Sequence, residues 1–450
     1  MASRLYTRLV AGALFPLHEK LKGHETARRL RGLEETQWYP GGEVQALQLE
    51  RLRRFLTSAC EHVPYYRQLF EAADFSPGDL SSVDDLAALP LLDKALIRRN
   101  REAMTSSHAG ALTEMSTGGS TGEPLRFLLG RERKSHDIAA KWRATRWWGV
   151  DIGDPEIVVW GSPVELGAQD HIKALRDRLF RTRLLPAFAL GEQDMDRYLA
   201  SIAKRSPRML FGYPSALSAL ARHGLQNAAG GTRREDRVTF CTGERLYPEQ
   251  REEIAAAFGG RVANGYGARE AGFIAHECPT GKLHVSAEDI VVEIVDSEGR
   301  PLPPGESGEV VVTHMATADF PFIRYRTGDH AALDPEPCPC GRGLPALTGI
   351  EGRSTDFVVD SEGRRMHGLA LIYVVREQPG VRAFRIEQQS RERTTVYLVA
   401  DDDYAPEVEA DIRRGMQARL GPAVSVDLEL VHELPPERSG KYRYVISHAQ

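Results

Sequence analysis

Residues 157–160 read Ile-Val-Val-Trp and residues 238–240 read Val-Thr-Phe, and these two short apolar runs decide the predicted fold. Each run is bounded by glycine or charged residues, which is typical of a buried strand. Between them, residues 195–204 and 214–225 have the pattern of helices. Alternating strands and helices predict an α/β architecture in which helices cover a mostly parallel sheet.

Downstream of this region the pattern becomes β-rich. Residues 290–295 and 309–313 favour strands, and the Gly/Pro turn at 301–308 separates them, which predicts a smaller antiparallel or mixed β region. After residue 353 the pattern changes again and indicates a compact α+β unit of about a hundred residues. Its predicted elements are a strand at 357–359, a turn at 361–363, a helix at 369–377 and strands at 384–388 and 394–399.

Upstream of the two apolar runs the chain is mainly helical. Residues 43–70 carry apolar side chains at roughly helical spacing, and residues 91–101 predict a further short helix. The first 37 residues form an amphipathic lead-in, whose segment 9–17 is too short and mixed to span a membrane. Such a segment allows contact with a membrane surface or a partner, but we expect it to pack on the body of the protein. The predicted parts are a lead-in over 1–37, a large multi-layer domain over 38–352 and a small α+β domain over 353–450.

The composition fits a soluble enzyme. The length of 450 residues predicts two or three domains, and 42% hydrophobic residues supply a sizeable core. The chain has 58 Lys and Arg against 63 Asp and Glu, so no basic excess points to nucleic acid. Five cysteines, an odd number, without a secretory leader favour a reducing cytoplasm over a disulfide framework. We expect no transmembrane segment and a monomer or homodimer.

Residues 116–124 read Ser-Thr-Gly-Gly-Ser-Thr-Gly-Glu-Pro and have the composition of a phosphate-binding loop. Glycines let the backbone approach a ligand closely, and successive N–H groups together with hydroxyls can surround phosphate oxygens. The P-loop pattern is absent, because Glu123 and Pro124 follow the last glycine where that pattern has Lys and Ser or Thr. Taken alone, the stretch is equally consistent with a tight surface turn.

Three later segments change that balance. Residues 264–270 read Asn-Gly-Tyr-Gly-Ala-Arg-Glu, residues 325–329 read Tyr-Arg-Thr-Gly-Asp, and residues 438–441 read Arg-Ser-Gly-Lys. Together with Val-Pro-Tyr-Tyr-Arg at 63–67, Phe-Gly-Tyr-Pro-Ser at 211–215 and Gly-Glu-Val-Val-Val-Thr at 308–313, they occur in the order typical of one family. From about Trp38 to its end the chain resembles the acyl-adenylate-forming ligases, in the branch of phenylacetate–CoA ligase and the capsular polysaccharide biosynthesis proteins.

The resemblance implies a role for each conspicuous residue. It implies that Glu270 binds Mg²⁺, that Tyr266 stacks on adenine, and that Asn264 hydrogen-bonds the adenine amino edge. It implies that Asp329 binds the ribose, assisted by Arg353. It also implies that Lys441, Glu270 and Thr117 are catalytic residues. Singly, Tyr266 fits a core aromatic, Asp329 a turn residue and Arg353 a surface charge. The residues that the resemblance assigns to ATP are Ser116, Thr117, Gly118, Gly119, Ser120, Thr121, Gly122, Gly243, Glu244, Asn264, Tyr266, Gly267, Asp329, Arg353 and Lys441.

The resemblance also implies the reaction. A carboxylic acid, aryl or arylacetic in most relatives, is activated by ATP as acyl-AMP with release of pyrophosphate, and coenzyme A then displaces AMP. The acid pocket is expected near residues 211–215, 242–244 and 265–268, and the C-terminal domain is expected to rotate about a hinge at 353–356, where Thr355 replaces the usual Asp. An amine or a carrier-protein thiol as acceptor stays open, as does a catalytically silent nucleotide-binding relative.

A second group of residues predicts a structural zinc ion. Cys338 and Cys340 lie in a turn at C-x-C spacing, and Cys278 and His284 supply two more ligands about sixty residues earlier. Three thiolates and one imidazole form an ordinary tetrahedral zinc set, and members of the resembling branch carry such a zinc. His276 is an alternative to His284, and reduced buried thiols without metal are an alternative to the site. Cys60 and Cys241 are expected to be ordinary buried cysteines.

Overall fold

The computed structural model describes residues 2–117, 125–160, 171–187, 192–227, 232–353, 357–363, 365–376, 378–401, 403–434 and 443–449. Its contacts divide these residues into two compact units. The first unit takes in the described residues up to 327 and residues 331–350, and the second takes in residues 328–330 and the described residues from 351 onward.

The first unit begins with helices that pack on the body of the domain. Buried residues of this region include Val10, Phe15, Leu30 and Leu33, which join one hydrophobic cluster with the helix that follows residue 130. No described helix is long and apolar enough to cross a membrane. The helices are α1 (Ala2–Leu9), a π-helical turn (Val10–Leu14), α2 (Phe15–Leu21), α3 (Thr26–Thr36), α4 (Gly41–His62), α5 (Pro64–Ala72), α6 (Lys94–Asn100) and α7 (Arg131–Trp147).

The predicted helical stretch at residues 43–70 is two helices, α4 and α5, because Pro64 interrupts it. A proline disfavours helical angles in the residue before it, and Val63 is extended, with φ −118° and ψ 106°. Pro64 itself then occupies the first turn of α5, where its missing N–H costs nothing. Both helices bury apolar residues in the same cluster, including Leu52 and Tyr66.

One sheet of eleven strands organises the described part of the first unit, and a separate hairpin of β1 (Thr113–Ser116) and β2 (Arg126–Leu129) precedes α7. The helices that alternate with the first strands of the sheet are α8 (His171–Leu179), α9 (Glu192–Arg205), α10 (Pro214–Gln226) and α11 (Pro248–Phe258). The strands are β3 (Glu156–Val159), β4 (Thr182–Leu185), β5 (Met209–Gly212), β6 (Val238–Thr242), β7 (Arg261–Ala268), β8 (Gly272–Glu277), β9 (Leu283–Val285), β10 (Ile290–Val295), β11 (Gly308–His314), β12 (Phe322–Leu333) and β13 (Ala346–Arg353).

The strand order of this sheet is β10-β11-β12-β13-β9-β8-β7-β6-β5-β3-β4. Pairing is parallel from β4 through β3, β5 and β6 to β7, and antiparallel from β7 through β8 and β9 to β13. The predicted α/β fold with parallel strands is confirmed. The predicted β-rich region is continuous with the parallel strands in one sheet, because β8 turns back on β7 and extends the same ladder.

Both faces of the parallel strands are buried. Leu210 of β5 lies in a cluster with Leu199 and Leu217 of the helices α9 and α10, while the next residue, Phe211, lies in a second cluster with Phe240. Successive residues of a strand point to opposite faces, so these clusters cover opposite faces of the sheet. A sheet covered on both sides requires continuous apolar strands, which explains the short Ile-Val-Val and Val-Thr-Phe runs.

The second unit contains a four-stranded sheet and a hairpin. Buried Gln388 joins them, since its side-chain amide both donates to the carbonyl oxygen of Val359 (2.7 Å) and accepts from the Val359 N–H (2.9 Å). The sheet order is β18-β17-β16-β19, with β16 and β17 antiparallel and the outer pairs parallel. The elements are β14 (Phe357–Val359), β15 (Arg365–His367), α12 (Leu369–Arg376), β16 (Val381–Gln388), β17 (Arg393–Ala400), α13 (Pro406–Leu420), β18 (Ser425–Leu430) and β19 (Val445–Ser447).

Candidate active site and candidate metal centre

Glu270 lies in the tight turn between β7 and β8 and is held from two sides. Its Oε1 accepts a hydrogen bond from the Tyr325 hydroxyl at 3.1 Å, and its carbonyl oxygen accepts one from Arg133 Nη1 at 3.2 Å. The residue is only 4% exposed. Partners on a helix and on a distant strand therefore fix both the backbone and the carboxylate of this acidic residue.

Arg133, on α7, is itself held in place by a carboxylate. Its Nε donates to both oxygens of Asp137, one helical turn later, at 3.1 and 3.0 Å. Burial raises the pKa of Asp137, but the positive charge of Arg133 and the interactions with His136 and His314 together outweigh it and hold that pKa well below its usual value. The Arg133 side chain is 1% exposed and that of Asp137 is 21% exposed, so a partly buried ion pair supports the turn that carries Glu270.

His314 lies on the other side of Asp137. Its Nδ1 accepts a hydrogen bond from the backbone N–H of Ala316 at 3.2 Å, so in the neutral ring the proton is on Nε2, which is 3.8 Å from Asp137 Oδ1. A protonated Nε2 has no lone pair for a metal, although His136, Asp137 and His314 lie close enough together to hold one. Burial lowers the pKa of His314 to about 3. We therefore interpret the three residues as a support for the Glu270 turn rather than as a metal site.

The start of the Gly/Ser/Thr stretch lies beside the Glu270 turn. Thr117 and Leu125, which flank the undescribed part of the stretch, are hydrogen-bonded to each other. The Thr117 N–H donates to the Leu125 carbonyl oxygen and the Leu125 N–H donates to Thr117 Oγ1, both at 3.0 Å. Arg269 Nη1 donates to the carbonyl oxygen of Ser116 at 3.1 Å. The stretch from Gly118 to Gly122 lies outside the described residues. The structure thus brings Ser116 together with the turn 269–270.

Asn264, Tyr266 and Gly267 follow one another along β7. Tyr266 is buried and its hydroxyl lies 3.4 Å from Thr327 Oγ1, within reach of a hydrogen bond to β12. The backbone N–H of Asn264 donates to Glu277 Oε2 at 2.7 Å. A Cβ on Gly267 would lie 2.2 Å from the Gly272 carbonyl oxygen, so only glycine fits there without a backbone shift.

Gly243 and Glu244 follow the carboxyl end of β6, next to a pair of aromatic rings. Trp160 and Tyr213 stack with their ring centroids 4.1 Å apart, and a Cβ on Gly243 would lie 3.1 Å from the tyrosine ring. Glu244 Oε2 accepts from the backbone N–H of Ser215 at 3.1 Å, in the first turn of α10. Ligands of open α/β sheets bind outside the carboxyl ends of the strands, which is where these residues lie.

The remaining predicted ATP ligands are only partly described. Asp329 is a buried residue of β12, and Arg353 is the last residue of β13, of which only the backbone is described. Lys441 and the hinge residues 354–356 lie outside the described residues. The roles of these residues therefore rest on the sequence alone.

The four predicted zinc ligands do come together. The ligand atoms of Cys278, His284, Cys338 and Cys340 all lie within 4.8 Å of one another. Two tight turns supply the three cysteines: one after β8, where the Cys278 N–H donates to the Lys282 carbonyl oxygen, and one where the Gly341 N–H donates to the Cys338 carbonyl oxygen. His284 comes from β9. The sulfur atoms of Cys278 and Cys338 are 3.7 Å apart, which is too far for a disulfide.

The imidazole of His284 is oriented toward this cluster. Its Nδ1 donates to the carbonyl oxygen of Leu344 at 2.9 Å, which leaves Nε2 as the lone-pair nitrogen, 3.2 Å from Cys340 Sγ. His276, the alternative ligand, is buried between the rings of Phe240 and Phe273 and does not join the cluster. The structure therefore brings His284, and not His276, to the three thiols.

The electrostatics of the cluster favour a thiolate. Burial raises the pKa of Cys278, but its interactions with His284 and Thr280 outweigh that effect and lower the pKa to about 5. The pKa of His284 is raised, because the neighbouring thiols offset the effect of burial. Of the other two cysteines, Cys241 is buried as expected and Cys60 is only half-buried.

The sequence patterns do not reveal the residues that support Glu270. Arg133 belongs to none of the motifs, and Tyr325 occurs in a motif without a role of its own. The Arg-Asp pair at 133 and 137 has the spacing of an ion pair within a helix, which was the available signal. That signal gives no hint of the turn on which the pair acts, because Glu270 lies 137 residues further along the chain.

Comparison with known proteins gives relatives for nearly the whole chain. Residues 183–319 match the AMP-binding enzyme family, and residues 358–448 match the CapK C-terminal domain. The chain is 24% identical to protein CapK of Staphylococcus aureus over 89% of both chains. It is 30% identical to the phenylacetate-coenzyme A ligase of Escherichia coli over 70% of this chain and 72% of that one.

A solved structure shares the fold. A 2-hydroxyisobutyryl-CoA ligase in the postadenylation state matches 92% of this chain and 91% of its own, with a TM-score of 0.72 and 22% identity. The family resemblance inferred from the motifs is thus confirmed, and with it the class of AMP-forming acid–thiol ligases. The chain belongs to the acyl-adenylate-forming ligases, in the branch that contains phenylacetate–CoA ligase and CapK.

Proposed function

We propose that the protein is a cytoplasmic ligase that activates an aryl or arylacetic acid with ATP and transfers the acyl group to coenzyme A. The observation that carries the proposal is the placement of Glu270: a buried carboxylate fixed by Tyr325 and Arg133, in a turn bonded to Ser116 at the start of the phosphate loop. A supported carboxylate beside a phosphate loop is what an enzyme needs to hold a metal–triphosphate complex.

The proposed reaction has two steps. A carboxylate oxygen of the acid attacks the α-phosphorus of ATP, the bond to the β-phosphate oxygen breaks, and pyrophosphate leaves. The thiol sulfur of coenzyme A then attacks the acyl carbon, the thiol proton is released, and AMP leaves with the oxygen that came from the acid. In this scheme Lys441 would stabilise the charge on the reacting oxygens, and Asp329 would accept hydrogen bonds from the ribose.

The donor set around Glu270 fits Mg²⁺. Carboxylate, hydroxyl and phosphate oxygens are the ligands of this hard cation, and Glu270, Ser116 and Thr117 offer the first two kinds. When bound, the ion neutralises part of the triphosphate charge. Glu270 would hold it, and the hydrogen bond from Tyr325 would keep the carboxylate turned in one direction.

The substrate class is supported by the aromatic rings at the carboxyl ends of the strands. Trp160, Phe211 and Tyr213 form a stacked or tilted set beside Gly243, and flat apolar walls suit a ring-bearing acid. The phenylacetate-coenzyme A ligases among the relatives agree with this class. The assay should also include an aliphatic hydroxy acid as a comparison substrate, because one structural relative is named a 2-hydroxyisobutyryl-CoA ligase.

We further propose a structural zinc ion bound by Cys278, His284, Cys338 and Cys340. Two sulfurs on a tetrahedral zinc, each at about 2.3 Å, lie roughly 3.8 Å apart. The distance of 3.7 Å between Cys278 and Cys338 Sγ agrees with that spacing. The carbonyl oxygen of Leu344, which fixes the His284 tautomer, is the kind of outer partner that metal-bound histidines have.

Acid-dependent exchange of labelled pyrophosphate into ATP tests the first step. We expect exchange with phenylacetate or a substituted benzoate, less with 2-hydroxyisobutyrate, and reduced exchange at limiting Mg²⁺ in the Glu270→Gln variant. Thioester should form only when coenzyme A is added. If exchange is followed by amide formation with an added amine and no thioester forms, the acceptor is an amine and not coenzyme A. If ATP binds but no acid supports exchange, the protein is a catalytically silent relative.

A further inference from the structure

The large apolar side chains that are exposed among the described residues are concentrated on one surface. Nine such side chains occur, and six of them belong to α1, α2 and α8. Leu21, at 81%, is the most exposed of all. We call these six residues the leucine surface; they are Leu5, Leu9, Leu17, Leu21, Leu175 and Leu179.

Hydrogen bonds and ring contacts hold α1 and α2 against α8 and the residues that follow it. The Tyr6 hydroxyl donates to the carbonyl oxygen of Leu179 at 2.9 Å, and the guanidinium of Arg181 lies over the Tyr6 ring at 4.2 Å. Phe15 and His18 of α2 both contact the ring of Phe180 edge-on. The leucines therefore project from a surface that is already ordered, so binding through them does not require the helices to fold first.

Positive charge surrounds these leucines, although the whole chain has a net charge of −5. Residues 1–23 and 171–183 together contain nine Lys and Arg against two Asp and Glu. Arg4, Arg8 and Lys20 are exposed among the leucines of α1 and α2. One of the two acidic residues, Glu19, is 2% exposed and contributes little to the outer surface.

A basic cavity opens close to α8. Its volume is about 680 Å³, and its charged lining is four arginines, Arg178, Arg181, Arg183 and Arg205, against two acidic residues, Glu156 and Asp177. It lies at the amino ends of β3 and β4, whereas the candidate active site lies at their carboxyl ends. Guanidinium groups around a cavity of this size suit a phosphate-bearing headgroup.

We propose that the leucine surface docks the enzyme on an anionic lipid membrane. Apolar side chains between Arg and Lys on a helix suit the boundary between headgroups and acyl chains, where leucines enter the apolar layer and the cations meet lipid phosphates. A second copy of the chain is a poor occupant, because pairing the same surface would bring two sets of positive charges together.

The test is sedimentation of the full-length protein with phosphatidylcholine vesicles, with and without phosphatidylglycerol. We expect the protein to sediment with the anionic vesicles only, and less so as salt is raised, because counterions screen the attraction. Removing one basic residue near an anionic surface should weaken binding roughly fivefold. The paired change Arg4→Glu with Arg8→Glu should therefore abolish sedimentation at a lipid concentration that saturates the wild type.

Matched variants show whether vesicle binding needs the leucine surface itself or any exposed leucine. Leu5→Ser with Leu9→Ser should lose vesicle binding, whereas Leu225→Ser with Leu430→Ser, two similarly exposed leucines elsewhere, should keep it. Both pairs should retain pyrophosphate exchange and the wild-type melting temperature, which shows that they are folded. Binding that is equal for both pairs, binding to neutral vesicles alone, or a lipid-free dimer that depends on Leu5 and Leu9 would each overturn the proposal.

Discussion

At the scale of single residues, the carboxylate of Glu270 has the clearest test. Gln keeps its shape and its hydrogen bond from Tyr325 but loses the charge that would bind Mg²⁺. We expect Glu270→Gln to require at least about tenfold more Mg²⁺ for half-maximal pyrophosphate release, the lower end of what changes around a metal site cost. Titration of Mg²⁺ at fixed ATP measures this.

Tyr325→Phe is the matched control for that experiment. It removes the hydroxyl that orients Glu270 Oε1 but leaves the charge in place, so its effect on the Mg²⁺ requirement should be the smaller of the two. A Glu270→Gln enzyme with the wild-type Mg²⁺ requirement would remove Glu270 from the metal site.

His314 predicts a pH dependence of stability. Its pKa in the folded protein is about 3, below the ordinary value of 6.5, so the unfolded chain takes up the proton first. Stability from this residue is present above pH 6.5 and is lost as the pH falls toward 3. Between pH 7 and 5 the wild type should lose roughly 2 kcal/mol more free energy of unfolding than the His314→Asn variant.

Urea unfolding at the two pH values measures the difference. Asn cannot titrate, and its Oδ1 can still accept from the Ala316 N–H. His432→Asn, at an exposed position, should follow the wild type at both pH values. Parallel losses in all three proteins would show that His314 is not buried in its neutral form.

The residues that the sequence could predict were those with a chemical signature of their own. Cys278, Cys338 and Cys340 are scarce ligand types in turn-forming segments, so the sequence alone was enough to predict that they meet. Arg133 and Tyr325 act through a distant partner, and nothing in their local sequence names that partner. Choosing His284 over His276 needed the three-dimensional structure, because the two histidines are direct partners in the β8–β9 ladder and His284 is the one whose ring lies close to the three thiols.

At the scale of elements, the two cysteine turns join β8 and β9 to the segment before β13. We expect Cys338→Ser with Cys340→Ser to lose about one zinc per chain and to lower the melting temperature, by roughly 2–4 °C for each kcal/mol lost. Elemental analysis of protein purified without a metal-affinity tag, followed by calorimetry, measures both effects. ATP binding should be retained, since no described ATP-site residue touches the cluster.

Cys60→Ser is the matched control for the thiol count. This half-buried cysteine lies outside the cluster, so its loss should leave the zinc content unchanged. Protein without metal, whose melting is the same before and after the double substitution, would contradict the site.

Helices and strands that a local sequence pattern determines were predicted well. The pairing of strands into sheets was predicted less well. The helices at 195–204 and 214–225 are observed as α9 and α10, and the first C-terminal strand is observed at Phe357–Val359. The continuity of the β-rich strands with the parallel ones was not predictable, since it depends on β8 turning back on β7. That turn passes through Gly272, whose φ of +84° and whose closeness to Arg133 exclude a larger residue.

At the scale of the whole molecule, the reaction is proposed to need residues from both units in turn. Lys441, outside the described residues, is assigned by resemblance to the first step only. We expect Lys441→Ala to lose acyl-AMP formation by a factor of about 100 or more, a typical cost of removing a group that stabilises transition-state charge, while ATP still binds. Thioester formation from chemically supplied acyl-AMP should survive.

Rapid-quench assays of the two half-reactions separate these effects. Lys282→Ala is the matched control, because this lysine pairs with Asp334 and has no proposed role in the reaction. Equal losses in both half-reactions of the Lys441 variant would show a structural role instead.

The eleven-stranded sheet also affects how the first unit opens. Its central strands β5 and β6 have a neighbour on each side and a hydrophobic cluster on each face, so no local fluctuation exposes their amides. Amide protons there can exchange with solvent only when the whole ladder separates, whereas those of the two-stranded β1–β2 hairpin need a much smaller opening. The slowest protons of β5 and β6 therefore share one rate, and that rate reports the global unfolding of the unit that holds Glu270.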